Sequence, residues 1–313
     1  MSKGAHDLMD AREIGMRRRF FTLNVFTDRR FAGNPLAVVL EPQGLDGAAM
    51  QAIAREFNHP ETVFVFAPAD PAHRARVRIF TPTRELPFAG HPTVGTAVLL
   101  GRLDGGSTRE IVLEEGIGPV RCHVEPRGED GGYARFDLAK LPEPVGEAPA
   151  SETIAAALNL TRDDLGFKDF VPAKWSAGNP FVFVPLRGRD AVARSKPDMS
   201  RWDAAFGGAS PVGAFVYCGE TVDAKNDFYA RMFGPAFGIH EDPATGSAAA
   251  AFTGVVARYG GLPDGDHQLA IEQGYDMGRP SLITLAMTLR AGKVAAASVG
   301  GDAVVVTEGT IEA

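Results

Sequence analysis

Apolar residues fall mostly in short runs that alternate with polar ones or are bounded by glycine and proline, a pattern of strands rather than of long amphipathic helices. Residues 20–26, 36–40, 61–66, 76–80, 111–113, 120–124 and 134–138 predict strands in the first half. Residues 180–184, 212–217, 228–233, 268–272, 281–289, 293–299 and 303–307 do so in the second. Helices are expected at 48–57, with Met50, Ile53, Ala54 and Phe57 on one face, and at 151–158, where Ser151 is the expected cap; Thr161 opens a further turn.

Two stretches break this pattern. Glu241-Asp242-Pro243-Ala244-Thr245-Gly246-Ser247 runs straight into an apolar segment from Ala248 to Val256, and Gly90-His91-Pro92-Thr93-Val94-Gly95-Thr96-Ala97 runs into Val98, Leu99 and Leu100. Each predicts a helix that is apolar on every side and is therefore enclosed by core. Pro243 suits the first turn of the later helix, and Asp242 or Thr245 can cap it. The first turn of such a helix offers free backbone N–H groups at the positive end of its dipole, where an anion can sit. A carboxylate-bearing ligand fits that description.

The two helices belong to a repeat. Ala32-Gly33-Asn34-Pro35-Leu36-Ala37-Val38-Val39 matches Ala177-Gly178-Asn179-Pro180-Phe181-Val182-Phe183-Val184, a turn leading into an apolar strand. From Asn34 to His91 is 57 residues and from Asn179 to Ser247 is 68, so order and spacing are both kept. A duplicated domain follows, with the site between the halves where the two helix N-termini face each other. The expected division is an extension at 1–15 without fixed structure, a first domain at 16–140, a proline-rich linker at 141–150 and a second domain at 151–313, whose last strand can return to the first. Short strands with one apolar helix per half, and no regular βαβα alternation, indicate an α+β fold of antiparallel sheets curled around a helix.

Composition narrows the function classes. The 313 residues suffice for two cores of about 150 residues each. Lys plus Arg is 32 against 39 Asp plus Glu, and this net charge of −7 argues against nucleic acid or an anionic membrane as partner. Only Cys122 and Cys218 are present, each in an apolar run, which suits buried thiols in a reducing compartment. The Asp-, Arg- and Gly-rich N-terminus has no apolar signal core, so the cytoplasm is the expected location, and Met16 is a second candidate start. No CxxC or HExxH spacing supports a metal site, and no GxxxxGK[ST] or GxGxxG supports a phosphate-bearing cofactor.

Among the polar residues, Glu61 stands directly before Thr-Val-Phe-Val-Phe. It is either solvated at a strand edge or held in an apolar pocket, where desolvation raises its pKa and suits it to carry a proton. His91 at a helix mouth is either a surface or capping histidine or one that orients a neighbouring acid. Asp242 is most simply a helix cap, a role compatible with fixing an imidazole beside it. Ser247 lacks a GxSxG context and is expected to donate a hydrogen bond to substrate. Ala89-Gly90 and Thr245-Gly246 are close-approach backbone positions whose N–H groups can stabilise enolate-like charge beside a carboxylate.

Taken together, Phe31-Ala32-Gly33-Asn34-Pro35, Glu61-Thr62-Val63-Phe64, Arg78-Ile79-Phe80-Thr81-Pro82, Glu85-Leu86-Pro87-Phe88-Ala89-Gly90-His91-Pro92-Thr93 and Glu241 to Ala248, with Gln273-Gly274 and Met277-Gly278-Arg279-Pro280-Ser281, resemble the PhzF-like phenazine-biosynthesis isomerase family over about residues 19–310. The resemblance implies a diaminopimelate-epimerase-like fold of two similar domains, each a curled antiparallel sheet around a central helix. It implies Glu61 as the proton-shuttling acid/base, His91 and Asp242 as supporting polar residues, Gly90, Thr245, Gly246 and Ser247 at the substrate, no cofactor, and a homodimer. Related racemases carry a cysteine at each helix mouth; the matching positions here are Ala89 and Thr245, which speaks against two-thiol chemistry. Pro60 stands where the family often has serine.

The expected activity is a cofactor-independent proton-shift isomerase acting on a small carboxylate-bearing substrate, resembling trans-2,3-dihydro-3-hydroxyanthranilate isomerase. The rivals are a single-base epimerase, racemase or dehydratase of a small amino or hydroxy acid using the same cleft, and a non-catalytic small-acid-binding or interaction protein on the same fold.

Overall fold

The computed structural model describes residues 16–208 and 210–313, so the expectation for residues 1–15 lies outside the described residues. The first half contains β1 (Arg17–Val25), β2 (Asn34–Leu40), α1 (Gly47–Phe57), β3 (Glu61–Phe66), β4 (Ala75–Phe80), β5 (Glu85–Leu86), α2 (Gly90–Leu103), β6 (Arg109–Glu115), β7 (Gly118–Arg127) and β8 (Gly131–Asp137). The second contains β9 (Glu143–Pro144), α3 (Ser151–Ala157), β10 (Ala173–Ser176), β11 (Pro180–Pro185), α4 (Arg189–Arg194), α5 (Trp202–Phe206), β12 (Gly213–Cys218), β13 (Phe228–Gly234), β14 (Ile239–Asp242), α6 (Gly246–Tyr259), β15 (Gly265–Gln273), β16 (Ser281–Arg290) and β17 (Lys293–Glu312).

Pairing follows the repeat. In the first half β2 runs parallel to β3, β3 antiparallel to β4, β4 parallel to β6, and β6, β7 and β8 form an antiparallel meander. The second half repeats each step: β11 parallel to β12, β12 antiparallel to β13, β13 parallel to β15, then β15, β16 and β17 as a meander. The sheets are thus chiefly antiparallel, with parallel pairs where β2 meets β3 and β4 meets β6, and where β11 meets β12 and β13 meets β15. β17 joins the halves, because beyond its hairpin with β16 it pairs with β8 and then along the whole of β1. Strands β1, β2, β3, β4, β6, β7, β8 and β17 therefore close into a ring.

Helix α2 lies inside that ring, and its residues Gly90 to Gly101 are all buried. Its Val94, Val98, Leu99 and Leu100 pack against Leu23, Val38, Val63, Leu113 and Val124, each contributing about 2 kcal/mol of burial. Helix α6 is buried against the strands of the second half, with Ala248 to Val256 buried and Phe252 edge-on to Tyr217 and Phe228. A helix apolar all round needs such a surround. The outer faces of the sheets are covered separately, by α1 over Val39, Phe64 and Phe80, and by α3, α4 and α5 over Val182, Val184 and Val216.

Several local expectations change. The segments at 293–299 and 303–307 form one continuous strand through Gly300 and Gly301, where a Cβ would come within 2.5 Å of the Tyr133 hydroxyl and of the Phe26 ring, respectively. Helix α6 begins at Gly246, so Pro243 precedes its first turn, and neither Asp242 nor Thr245 caps it with a side chain. Ser151 is the first residue of α3 and its cap is Ala150. Within 141–150, β9 pairs with Trp175 and Ser176. At Thr161 the turn is closed by a reciprocal capping box with Asp164. Among the described residues no helix is long and apolar enough to cross a membrane.

Candidate active site

The first turns of α2 and α6 meet head to head. A Cβ built on Gly90 would lie 3.0 Å from the Cα of Gly246 and 3.3 Å from the Ser247 nitrogen, and one on Gly246 would lie 3.2 Å from the Cα of Gly90. Only glycine at both positions permits this approach. The two first turns thus bring four backbone N–H groups, those of Gly90, His91, Gly246 and Ser247, together without intrahelical acceptors and at two positive dipole ends. They open onto a cavity of about 590 Å³ that Glu61, Gly90, His91, Asp242, Thr245, Gly246 and Ser247 all line. The sequence-derived site residues are therefore gathered at one place.

Glu61 is the first residue of β3 and is only 8 % exposed. Burial, and then the neighbouring Asp242 charge, push its carboxyl up to about 8. Its Oε2 is 3.2 Å from His91 Nε2, yet the angle is wrong for a hydrogen bond and neither atom has another partner. The two groups are poised rather than bonded. Burial also holds His91 down to about 3, partly offset by its hydrogen bond to the Pro35 carbonyl, so the ring is neutral and does not compete for Glu61's proton. Burial raises Asp242 to about 6, while hydrogen bonds from Thr245 and Asn34 pull the other way. Near neutral pH, Asp242 is ionised and Glu61 carries a proton.

Asp242 is held by partners distant in sequence. Asn34 donates from Nδ2 to its Oδ1 at 2.8 Å and to the Ala244 carbonyl at 2.9 Å, across the two halves. Thr245 Oγ1 donates to its Oδ2 at 2.6 Å. Gln273, fully buried at the end of β15, donates to the Asp242 carbonyl and to Thr245 Oγ1 and accepts from the Thr245 N–H. Thr245 lines the cavity with its hydroxyl and N–H engaged internally, which leaves Gly246 and Ser247 as the open donors on that side. Arg279 fastens the turn before Asn34, donating to the carbonyls of Ala32 and Gly33. Asn34, Gln273 and Arg279 all stand in recognisable motifs, but only long-range contacts reveal what they hold.

A second buried acid lies away from the cavity. Burial lifts Glu115 to about 8 as well, and it accepts from Thr93 Oγ1 at 2.7 Å, but it stands outside the cavity. Cys122 and Cys218 are likewise buried away from it.

A family model described as phenazine biosynthesis-like protein matches residues 23–309. The chain belongs to the phenazine-biosynthesis-like family. An uncharacterized isomerase of Mesorhizobium japonicum is 50 % identical over 94 % of this chain and 98 % of its own. Trans-2,3-dihydro-3-hydroxyanthranilate isomerase of Pseudomonas chlororaphis is 33 % identical over 93 % of this chain and 98 % of its own. Among solved structures, a PhzF-family phenazine biosynthesis protein of Bacillus anthracis superposes with a TM-score of 0.85 at 27 % identity, covering 95 % of this chain and 99 % of that one. The protein is an isomerase of this family, and its α+β architecture is the diaminopimelate-epimerase-like one of two pseudo-symmetric halves.

Proposed function

We propose that this isomerase moves a proton between two carbons of a small carboxylate-bearing substrate, with Glu61 as the single acid/base and without a cofactor. The observation that carries this reading is the asymmetry of the duplicated site. In β2 and β3, Leu36 pairs with Glu61; in the repeat, Phe181 pairs with Gly213. Leu36 and Phe181 hold the same place in the two AGNP repeats, so the second half has glycine where the first has its acid, just as it has Ser247 where the first has His91. The first wall carries the acid that is still protonated near neutral pH, Glu61, while the second carries the Gly246 and Ser247 donors and Asp242, which is ionised there.

The chemistry follows from that division. The N–H groups of Gly90 and Gly246 and the Ser247 hydroxyl hold the substrate carboxylate and the negative charge that spreads onto it. Ionised Glu61, far more basic than an ordinary glutamate, takes the proton from a carbon in conjugation with that carboxylate. The electron pair of the broken C–H bond enters the conjugated system and the double bond shifts. The carboxylic acid of Glu61 then returns the proton to a second carbon, with no net redox change. Neutral His91 and ionised Asp242 hold the proton on Glu61 between the two steps. The substrate of the Pseudomonas chlororaphis relative, trans-2,3-dihydro-3-hydroxyanthranilate, has the required carboxylate and unsaturation.

Incubation with that compound in D2O, read by mass spectrometry and NMR, tests the proposal. Conversion or deuterium uptake by the wild type that is lost in Glu61→Gln is expected. Equal turnover by the two proteins would show that Glu61 is not the base.

A further inference from the structure

The turn Ala32-Gly33-Asn34-Pro35 recurs as Ala177-Gly178-Asn179-Pro180, and the two copies enter the equivalent strands β2 and β11. Their surroundings differ. The first copy is sealed: the Gly33 N–H donates to the Pro280 carbonyl, Arg279 holds the carbonyls of Ala32 and Gly33, and the fully buried Asn34 spans to Asp242 and Ala244. In the second copy, among the described residues, Gly178 donates only to the Ser176 hydroxyl two residues before it at the end of β10, a Cβ on it would meet nothing within 4 Å, and Gly178 and Asn179 are exposed.

The cause is legible in the repeat. Glu241-Asp242-Pro243 aligns with Glu85-Leu86-Pro87, so Leu86 stands where the partner of Asn179 would be an aspartate. A leucine cannot accept a hydrogen bond. Asn179 has no counterpart of the carboxylate that Asn34 binds, and both Asn179 and Leu86 line the same cavity as Glu61.

We propose that Asn179 is a substrate-recognition residue. Freed from the structural role of its twin, its carboxamide binds a hydroxyl or amino substituent of the substrate on the side facing the second half, while the helix mouths hold the carboxylate. An amide both donates and accepts, which suits those two groups. The substrate class is thereby narrowed to small acids bearing a hydroxyl or amino group near the carboxylate. This inference rests on the reading of the cavity as the substrate site.

Titration calorimetry with three proton-inert acids tests it: benzoate, 2-aminobenzoate and 2-amino-3-hydroxybenzoate. In the wild type the substituted acids should bind about tenfold more tightly than benzoate, the effect of one hydrogen bond. Asn179→Leu should abolish that gain and leave benzoate binding within about twofold. The melting temperature of Asn179→Leu should stay within about 1 °C of wild type, whereas Asn34→Leu should lose several degrees, because only Asn34 is buried and bonded. The inference is overturned if the gain is missing in the wild type, including by failure of all three acids to bind. It is equally overturned if the gain survives in Asn179→Leu, or if that variant is as destabilised as Asn34→Leu. Intact benzoate binding without the gain rejects this inference alone; loss of Glu61-dependent deuterium uptake as well would reject the reading of the cavity with it.

Discussion

Glu61 and His91, buried side by side with Oε2 and Nε2 3.2 Å apart, are displaced in opposite directions by the same desolvation, the carboxyl upward and the imidazole downward. Both are consequently neutral near pH 7, and only the acid changes charge in the usual working range. The value of kcat/KM should therefore rise about tenfold per pH unit up to about 8 and then level off, as Glu61 loses its proton. No falling limb from His91 is expected, since that ring titrates near 3. A profile that is flat from pH 6 to 9 would mean that another group is the base.

Replacing Glu61 by glutamine should remove proton transfer, lowering turnover by about 10²- to 10⁴-fold, and should stabilise the fold at the same time. The carboxyl is pushed up to about 8 in the folded protein from its ordinary value of 4.5, so between those values the unfolded chain releases a proton that the native protein keeps. Stability accordingly falls as pH rises through this window and is lowest, by on the order of 3–5 kcal/mol, above pH 8. Thermal unfolding of wild type and Glu61→Gln should coincide near pH 4 and diverge toward pH 8, with the variant melting higher. The opposite order at pH 8 would place Glu61 in a solvated or ion-paired setting.

Much of this was legible before the fold was known, for identifiable reasons. Two helices apolar on all sides have no stable place except inside curled sheets, and a repeated AGNP turn ahead of an apolar strand marks the duplication. What stayed hidden depends on contacts remote in sequence: Asn34 reaches Asp242 and Ala244, and Gln273 reaches Thr245, across gaps that no local pattern spans. The cap expected of Asp242 failed for the same reason, since its oxygens are occupied by Asn34 and Thr245. The short helices α4 and α5 escaped because five or six residues carry too little periodicity, and β9 because its Glu143-Pro144 pair reads as a turn until Trp175 pairs with it.

Asn34→Ala should act on both stability and the acid/base pair. The substitution leaves Asp242 Oδ1 and the Ala244 carbonyl buried without their donor, at about 2–4 kcal/mol. It also removes one of the hydrogen bonds that keep Asp242 acidic, so the Asp242 carboxyl should titrate higher than about 6. Chemical denaturation measures the first effect and the acid limb of the pH–rate profile the second. Unchanged stability together with an unchanged profile would show that the cross-half bond does not hold Asp242.

The approach of Gly90 to Gly246 gives the most exacting prediction, because it concerns backbone alone. Neither glycine has positive φ, so alanine is compatible with the conformation and any effect is steric. An alanine at Gly90 places its Cβ 3.0 Å from the Gly246 Cα and 3.1 Å from its carbonyl carbon, and alanine at Gly246 meets Gly90 at 3.2 Å. Backbone atoms cannot rotate away as a flexible side chain can, so the two helix mouths must separate by a few tenths of an ångström. Overpacking of this kind costs about 1–3 kcal/mol in stability. The larger effect should fall on catalysis, where donors aimed at a developing charge lose about 10²-fold when displaced. Gly90→Ala and Gly246→Ala should each lower kcat more than they raise KM, and the double variant should be less impaired than the product of the two, because one separation relieves both clashes. Strict multiplication of the single effects would mean that the two glycines act at separate places and that the helix mouths do not form one anion site.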